Sequence, residues 1–509
     1  MTPILRERLE PTRLQDLDIG CELLQRRDRI PALQRGMKCV NGGENRRAIR
    51  GLGEHRAWAG EKAERGDGEQ DRAMHTEMLT EGVDFCRMSA WLKLTPAAVS
   101  PLTLNPGPSM LRFAALALAL LAACSPASPE RPLADSSWLY LWTAGADSTQ
   151  PDYLAVLDVA PSGERYGRVI TTLPVPGRRN VPHHTEHAIA ADGVLLANGF
   201  ATGQTFAFDL NAPTEPQIVA QFGDLAGYSH PHTFERLPSG NVLATFQMRH
   251  DSAGVTPGGL VEMTPRGEVL RSSSSFGVGV SRGLRTYSAL PVPALDRIIS
   301  TTTDMDESNP YTASEIQVWR LSDLTLLHTF KLPQGPLGDE GNYTAEPRLL
   351  ADGRTVLVST FNCGLYLLDG LEGDTPSGRL VSTFPRGKDV FCAIPVVSGR
   401  HYLVTVPSIP AVVSLDVSNP AEPREVGRAT LGKGDVPHWI SLEPSRNRVV
   451  VTGYGNLEHR VLLLTFDAAT GALAVDARFR EEGASAAGFR INGVPHGAVF
   501  SRPGTGKRD

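Results

Sequence analysis

The stretch His232-Thr-Phe-Glu-Arg-Leu-Pro-Ser-Gly240-Asn-Val-Leu-Ala-Thr245 decides the fold, because it recurs along the chain with its parts in the same order. Each copy reads as a strand, a polar tight turn and a second strand. An earlier copy is His187-Ala-Ile-Ala-Ala-Asp-Gly193-Val-Leu-Leu-Ala197, and later ones are Glu346-Pro-Arg-Leu-Leu-Ala-Asp-Gly353-Arg-Thr-Val-Leu-Val-Ser-Thr360 and His438-Trp-Ile-Ser-Leu-Glu-Pro-Ser-Arg-Asn-Arg-Val-Val-Val-Thr452. Looser copies occupy residues 287–302 and 391–406. A third strand ending in an Asp-containing turn follows most of them, as in Leu365-Tyr-Leu-Leu-Asp369 and Ala411-Val-Val-Ser-Leu-Asp416.

Six such units lie roughly 45–60 residues apart, near the period of propeller blades. The seventh is split: residues 138–143, 153–158 and 168–172 read as three outer strands, and Gly497-Ala-Val-Phe-Ser501 as the missing inner one. Joining them closes the ring and removes the open sheet edges that invite aggregation. The expected fold is therefore all-β, a seven-bladed β-propeller over residues 137–502 whose last blade is closed by the N- and C-terminal strands. A β-sandwich would not explain a repeat of this period, and no long segment of 3.6-residue period competes.

With 41% hydrophobic and 21% charged residues, the chain has enough apolar material for a large core. A net charge of −6 without a long basic run excludes a phosphate backbone as partner, so no nucleic acid is expected.

Met110-Leu-Arg112 precedes an apolar run over residues 113–123 and then Cys124, the pattern of an export signal. The run is too short to span a bilayer. Leu121-Ala-Ala-Cys124 resembles the bacterial lipobox, in which the Cys is diacylated and becomes the new amino terminus. The expected organisation is a lipoprotein signal peptide at 110–123, lipidation at Cys124, a tether at 124–136 and a tail at 503–509. The chain would then be periplasmic or at the cell surface, touching the membrane only through its lipid anchor. An export signal works at an amino terminus, so Met110 is the expected start and residues 1–109 an upstream leader of doubtful standing. Cys21, Cys39 and Cys86 fall in that leader. Cys363 and Cys392 remain, to pair in an oxidising compartment, ligate a soft metal or fill core space.

Inner strands of a propeller begin at one face beside the central channel, so repeat-equivalent residues converge there. Four of them begin with Pro-His, at Pro182-His183, Pro231-His232, Pro437-His438 and Pro495-His496. Proline restricts the backbone and offers no amide donor, which suits a loop dropping into the channel. With neighbouring His184 and His187, the candidate metal ligands are His183, His184, His187, His232, His438 and His496, and Glu346 and His230 are candidates to support them. Neutral imidazoles suit Zn, Cu, Fe or Ni, with carboxylates or carbonyls orienting the second ring nitrogen. The scarcity of acids disfavours Ca and Mg. The other reading of the set is a proton-handling or anion-binding mouth. His250, His459 and Met248 map to the entrance on the same face, as do Cys363 and Cys392, whereas His328 and His401 read as structural.

Over residues 138–500 the chain resembles the selenium-binding protein and methanethiol oxidase family. The resemblance rests on Tyr140-Leu-Trp-Thr143, Asp152-Tyr-Leu-Ala-Val-Leu-Asp-Val159, Tyr166-Gly-Arg-Val-Ile170 with Leu173-Pro-Val-Pro176, paired His183 and His184, His232 with Pro238-Ser-Gly240, Ile298-Ile-Ser-Thr301, Ile316-Gln-Val-Trp319 and His496. It implies a seven-bladed propeller and, as in the bacterial methanethiol oxidases, an exported copper protein that converts methanethiol, oxygen and water into formaldehyde, hydrogen sulfide and hydrogen peroxide. It implies copper as cofactor, a small thiol as substrate, and His183 or His184 with His232, His438 and His496 as ligands. The chain departs from the family after the paired His, where Thr185-Glu-His-Ala-Ile-Ala190 replaces a Cys-rich stretch, and its segment between the second and third blades is compact. Selenium binding through that cysteine is therefore not expected. Three functions compete: a copper oxidase of a small thiol, a His-ligated iron oxygenase, and a non-catalytic propeller scaffold.

Overall fold

The computed structural model describes residue 135 and residues 137–503, apart from 252–253, 278–279, 281–282, 306–311, 387–390, 454–459 and 482–483. The expected leader, signal peptide, lipidation site Cys124, tether and His459 lie outside the described residues, as does the tail beyond residue 503.

Seven antiparallel sheets follow one another; six carry four principal strands in sequence order from inside to outside, and the seventh takes its innermost strand from the C-terminal end of the fold. Blade 1 is Pro182–Thr185, Val194–Gly199, Gln204–Asp209 and Gln217–Phe222. Blade 2 is Tyr228–Arg236, Val242–Asp251, Gly259–Met263 and Val269–Ser274; blade 3 is Ala289–Val292, Arg297–Thr301, Glu315–Arg320 and Leu326–Lys331. Blade 4 is Thr344–Leu349, Val356–Thr360, Gly364–Asp369 and Ser377–Thr383; blade 5 is Pro395–Ser398, His401–Val406, Ala411–Asp416 and Arg424–Thr430. Blade 6 is Pro437–Leu442, Arg448–Gly453, Arg460–Phe466 and Leu473–Val475. Blade 7 joins the ends of the fold, with Gly493–Phe500 innermost, then Trp138–Gly145, Tyr153–Asp158 and Val169–Pro174. The register of that closure is Leu139↔Phe500, Tyr140↔Val499 and Leu141↔Ala498.

The repeat explains the turns. Where the inner strand meets the second, blades 1, 2, 4 and 5 place Gly193, Gly240, Gly353 and Gly399 at positive φ, which glycine adopts without a Cβ clash. Blades 3 and 6 use Asp296 and Arg446 there instead, at φ 53° and 62°. Two short strands were not legible in the repeat: Gly254–Thr256 extends blade 2 and Phe489–Arg490 pairs with the third strand of blade 6.

Second and third strands are largely buried, whereas outer strands such as Arg424–Thr430 are largely exposed. Both faces of a middle strand are covered by neighbouring blades, which is why these segments read as continuous apolar runs. The six apolar clusters accordingly span neighbouring blades; one joins Trp142 and Tyr140 of blade 7 to Phe206 and Phe208 of blade 1. With the apolar core held between sheets, the axis is left to inner-strand side chains. His328 sits half-buried on the outer strand of blade 3, and His401 is buried in blade 5 with its ring 5.7 Å from Phe466.

A candidate metal centre at the channel mouth

The Pro-His steps disturb the strands they open. The pairing register shifts between Pro182 and Thr185, between Pro231 and Phe234, and between Pro437 and Trp439, and the partner of the Pro495–Ala498 segment shifts likewise. Proline cannot donate to the ladder, so each strand bulges where its histidine stands, and a bulge re-aims side chains. Consecutive strand residues ordinarily point to opposite faces. At the bulge of blade 1, His183 and His184 instead stack in parallel, 4.2 Å apart at 7°. Val181 and His230, immediately before two of the prolines, stand at φ 55° and 58°, a sharp entry that is sterically costly for a β-branched valine.

These strand ends bring His183, His184, His438 and His496 together from blades 1, 6 and 7, with one ring nitrogen of each lying within 4.8 Å of the others. His232 of blade 2 packs on the same group, its ring 4.3 Å from His184 and 4.9 Å from His183. All five are buried, none more than 5% exposed. Nδ1 of His183 and Nε2 of both His184 and His232 have no hydrogen-bond partner among the described residues. Buried polar atoms are rarely left so.

Burial, reinforced by the neighbouring imidazoles, holds the pKa of His183, His184 and His496 well below the usual histidine value. Burial alone lowers His438 to about 4, and burial dominates at His232, which falls to about 3. The five rings are thus neutral near pH 7, the form in which imidazole ligates metals. Neutral nitrogen donors suit Zn, Cu, Fe or Ni.

The inner strands are pinned from behind by hydroxyls and an amide of the adjoining blade. Thr405 Oγ1 donates to the carbonyl of His438 at 2.8 Å, Thr452 Oγ1 to that of His496, and Asn198 Nδ2 to that of Pro231 at 2.6 Å. Thr245 and Thr301 repeat the contact on Tyr287 and Ala345. Second-strand residues of the preceding blade supply all five, four of them in the last two residues of the strand and Thr245 within the longer strand of blade 2.

Three expected members stand elsewhere. His187 lies beyond the end of its strand, where Nδ1 donates to the carbonyl of Ile440 at 3.1 Å and Nε2 accepts from Arg348 at 3.0 Å. Both nitrogens are engaged and the ring stacks on Trp439 at 4.3 Å, so His187 supports the floor of the site and does not join the imidazole group. Glu346 accepts from Ser288 Oγ and Arg348 rather than from an imidazole. His230 turns its ring edge to Phe200 and its Nδ1 to Ser229 Oγ. Below, burial drives the carboxyl of Glu235 up to about 7. Cys363 and Cys392 form a disulfide, which removes them as thiolate ligands.

Repeat alignment of the histidines alone misses the rest of the ring. Tyr287 contacts His232 at 3.9 Å and Phe361 at 5.5 Å; Phe391 contacts Phe361 at 6.0 Å and His438 at 6.1 Å. The signal lay in the looser copies, which open with Tyr287 and Phe391 where three of the four close copies open with histidine.

No protein-family model matches the chain. It is 32% identical over 138 residues to a methanethiol oxidase of Hyphomicrobium sp, a stretch covering 26% of this chain and 31% of that protein. A methanethiol oxidase of Ruegeria pomeroyi is 30% identical over 139 residues, again 26% of this chain and 31% of the relative, and selenium-binding protein 3 of Arabidopsis thaliana is 28% identical over 116 residues, 20% of this chain and 24% of the relative. The matched stretches thus span less than a third of these relatives. Among solved structures, a hypothetical selenium-binding protein from Sulfolobus tokodaii superposes with a TM-score of 0.59 at 17% identity, covering 74% of this chain and 96% of that one. A periplasmic gluconolactonase of Pseudomonas aeruginosa gives 0.53 at 14% identity, covering 72% and 99%. The curated relatives are those the sequence resemblance indicated, and the solved structures share the propeller.

Proposed function

From this kinship with methanethiol oxidases and selenium-binding proteins, we propose that the chain is a metal-dependent oxidase of a small thiol, with copper held by His183, His184, His438 and His496 and with His232 beside them. The observation that carries the reading is the meeting of these imidazoles within 4.8 Å, from three blades distant in sequence. Burial keeps the rings neutral, and the Thr405 and Thr452 hydroxyls fix the strands that carry two of them. Copper there would supply a soft acceptor for thiolate sulfur and redox chemistry toward oxygen. Around it, the protein contributes burial of the imidazoles and an aromatic side on which Phe361 and Phe391 are half-buried. The chemistry that the family resemblance implies consumes methanethiol, oxygen and water and yields formaldehyde, hydrogen sulfide and hydrogen peroxide.

Export and lipidation at Cys124 belong to the same proposal. They are supported by the Leu121-Ala-Ala-Cys124 motif and fit a disulfide between Cys363 and Cys392, a bond that persists in oxidising compartments. Protein purified from a periplasm-competent host should contain copper and release peroxide and sulfide in equal amounts when given methanethiol and oxygen. Iron in its place would favour the oxygenase reading, and protein with no metal the scaffold.

A further inference from the structure

The seven positions around the mouth are not equivalent. Blades 6, 7, 1 and 2 present His438, His496, His183 and His232, and blades 3, 4 and 5 present Tyr287, Phe361 and Phe391. Neighbouring rings touch all the way round, with centroids from 3.9 Å at His232 and Tyr287 to 6.1 Å at Phe391 and His438. One arc therefore offers nitrogen donors, and the facing arc offers aromatic carbon whose side chains carry no charge. His184 stands inside the ring, 4.9 Å from Trp439, and closes it from below. Tyr287 is buried, but Phe361 and Phe391 are half-buried, so the aromatic arc is the side a ligand meets on entering.

The aromatic arc is also braced. Cys363 lies two residues beyond Phe361, Cys392 follows Phe391, and the two are joined by the disulfide. The backbone amide of Cys392 donates to the carbonyl of Phe361 at 2.9 Å. Two half-exposed aromatic side chains on loops would ordinarily spend entropy on becoming ordered. Here the cross-link holds both loops at one spacing before any ligand arrives, and such preorganisation favours selective binding.

We infer that the mouth is divided by function: the histidine arc takes the sulfur end of the ligand through the metal, and Tyr287, Phe361 and Phe391 form a specificity wall for its other end. The wall accepts a small uncharged hydrocarbon substituent and rejects a carboxylate, which would lose its hydration against carbon with no cationic group and at most the Tyr287 hydroxyl to replace it. The inference rests on the metal and thiol reading above, and it adds the residues that choose among thiols.

Ethanethiol and mercaptoacetate are nearly the same size and differ in that end group. Anaerobic calorimetry on the full-length, metal-loaded protein should give ethanethiol an affinity at least about tenfold above that of mercaptoacetate. Phe391→Arg, at a half-exposed position, should bring the ratio to one or below while the metal content stays as in the wild type. Phe361→Leu, which keeps an apolar surface, should keep the preference. Equal binding of the two thiols by metal-loaded wild-type protein, or a ratio untouched by Phe391→Arg, overturns the wall and leaves the metal reading standing. Protein that takes up no metal at the histidines overturns both.

Discussion

His184 and His187 stand three positions apart and do different work, because the strand end lies between them. His184 keeps Nε2 without a partner inside the imidazole group, whereas His187 spends one nitrogen on the Ile440 carbonyl and the other on Arg348. That bonding fixes its tautomer: a carbonyl only accepts, so Nδ1 carries the proton and Nε2 receives Arg348. His184→Ala should lower metal affinity at least about tenfold, while His187→Ala should retain the metal and lose about 1–3 kcal/mol of stability through the buried groups it leaves unmatched. Metal content and thermal unfolding of the two variants check this. From sequence the two histidines look alike, since nothing in Thr185-Glu-His187 announces where the strand stops or that Arg348, far along the chain, will arrive at Nε2.

At the level of the element, the instructive unit is the Pro-His step with the hydroxyl behind it. Proline breaks the ladder, the strand bulges, and the histidine swings toward the axis; the neighbouring blade then holds the distorted backbone by its carbonyl. The step was legible because it repeats, and so was its consequence, convergence at one mouth. The bulges were not, because pairing register depends on the partner strand. The latch was half visible: Asn198, Thr245, Thr301, Thr405 and Thr452 recur in the second strand, but β-propensity explains a threonine there equally well. Thr452→Val preserves shape and removes the donor to His496. It should cost about 1–3 kcal/mol of stability and weaken metal binding about 10–100-fold, whereas the same change at Thr301, which latches Ala345 of blade 4, should affect stability alone. Unfolding midpoints and metal titrations of both variants separate the two effects.

The described residues form a ring of blades whose apolar core lies between blades and whose buried imidazoles, His401 apart, gather at the inner strands. Period, blade count and closure by distant strands were legible because each blade repeats one pattern and only closure removes the edges. The aromatic arc was hidden by the opposite cause, since its blades depart from the pattern that revealed the others. Concentrating imidazoles on the axis has a cost that pH should expose. In the unfolded chain they protonate near 6.5, but in the fold His438 falls to about 4 and His232 to about 3. Between those values the unfolded state binds more protons, so stability falls as pH drops. Metal-free protein should therefore lose stability steadily from about pH 6.5 to pH 4, and denaturant midpoints measured across that range check the slope. A second set with His232→Gln and His438→Gln should show a shallower fall.

In the proposed centre, imidazole nitrogen from several blades forms the ligand shell. X-ray absorption at the metal edge of the purified, full-length protein tests it directly. The expected result is a first shell of nitrogen at about 2.0–2.1 Å, with the outer scattering of several imidazole rings and no sulfur, Cys363 and Cys392 being joined to each other. A shell of sulfur or of carboxylate oxygen without imidazole scattering, or a protein that holds no metal, would contradict it.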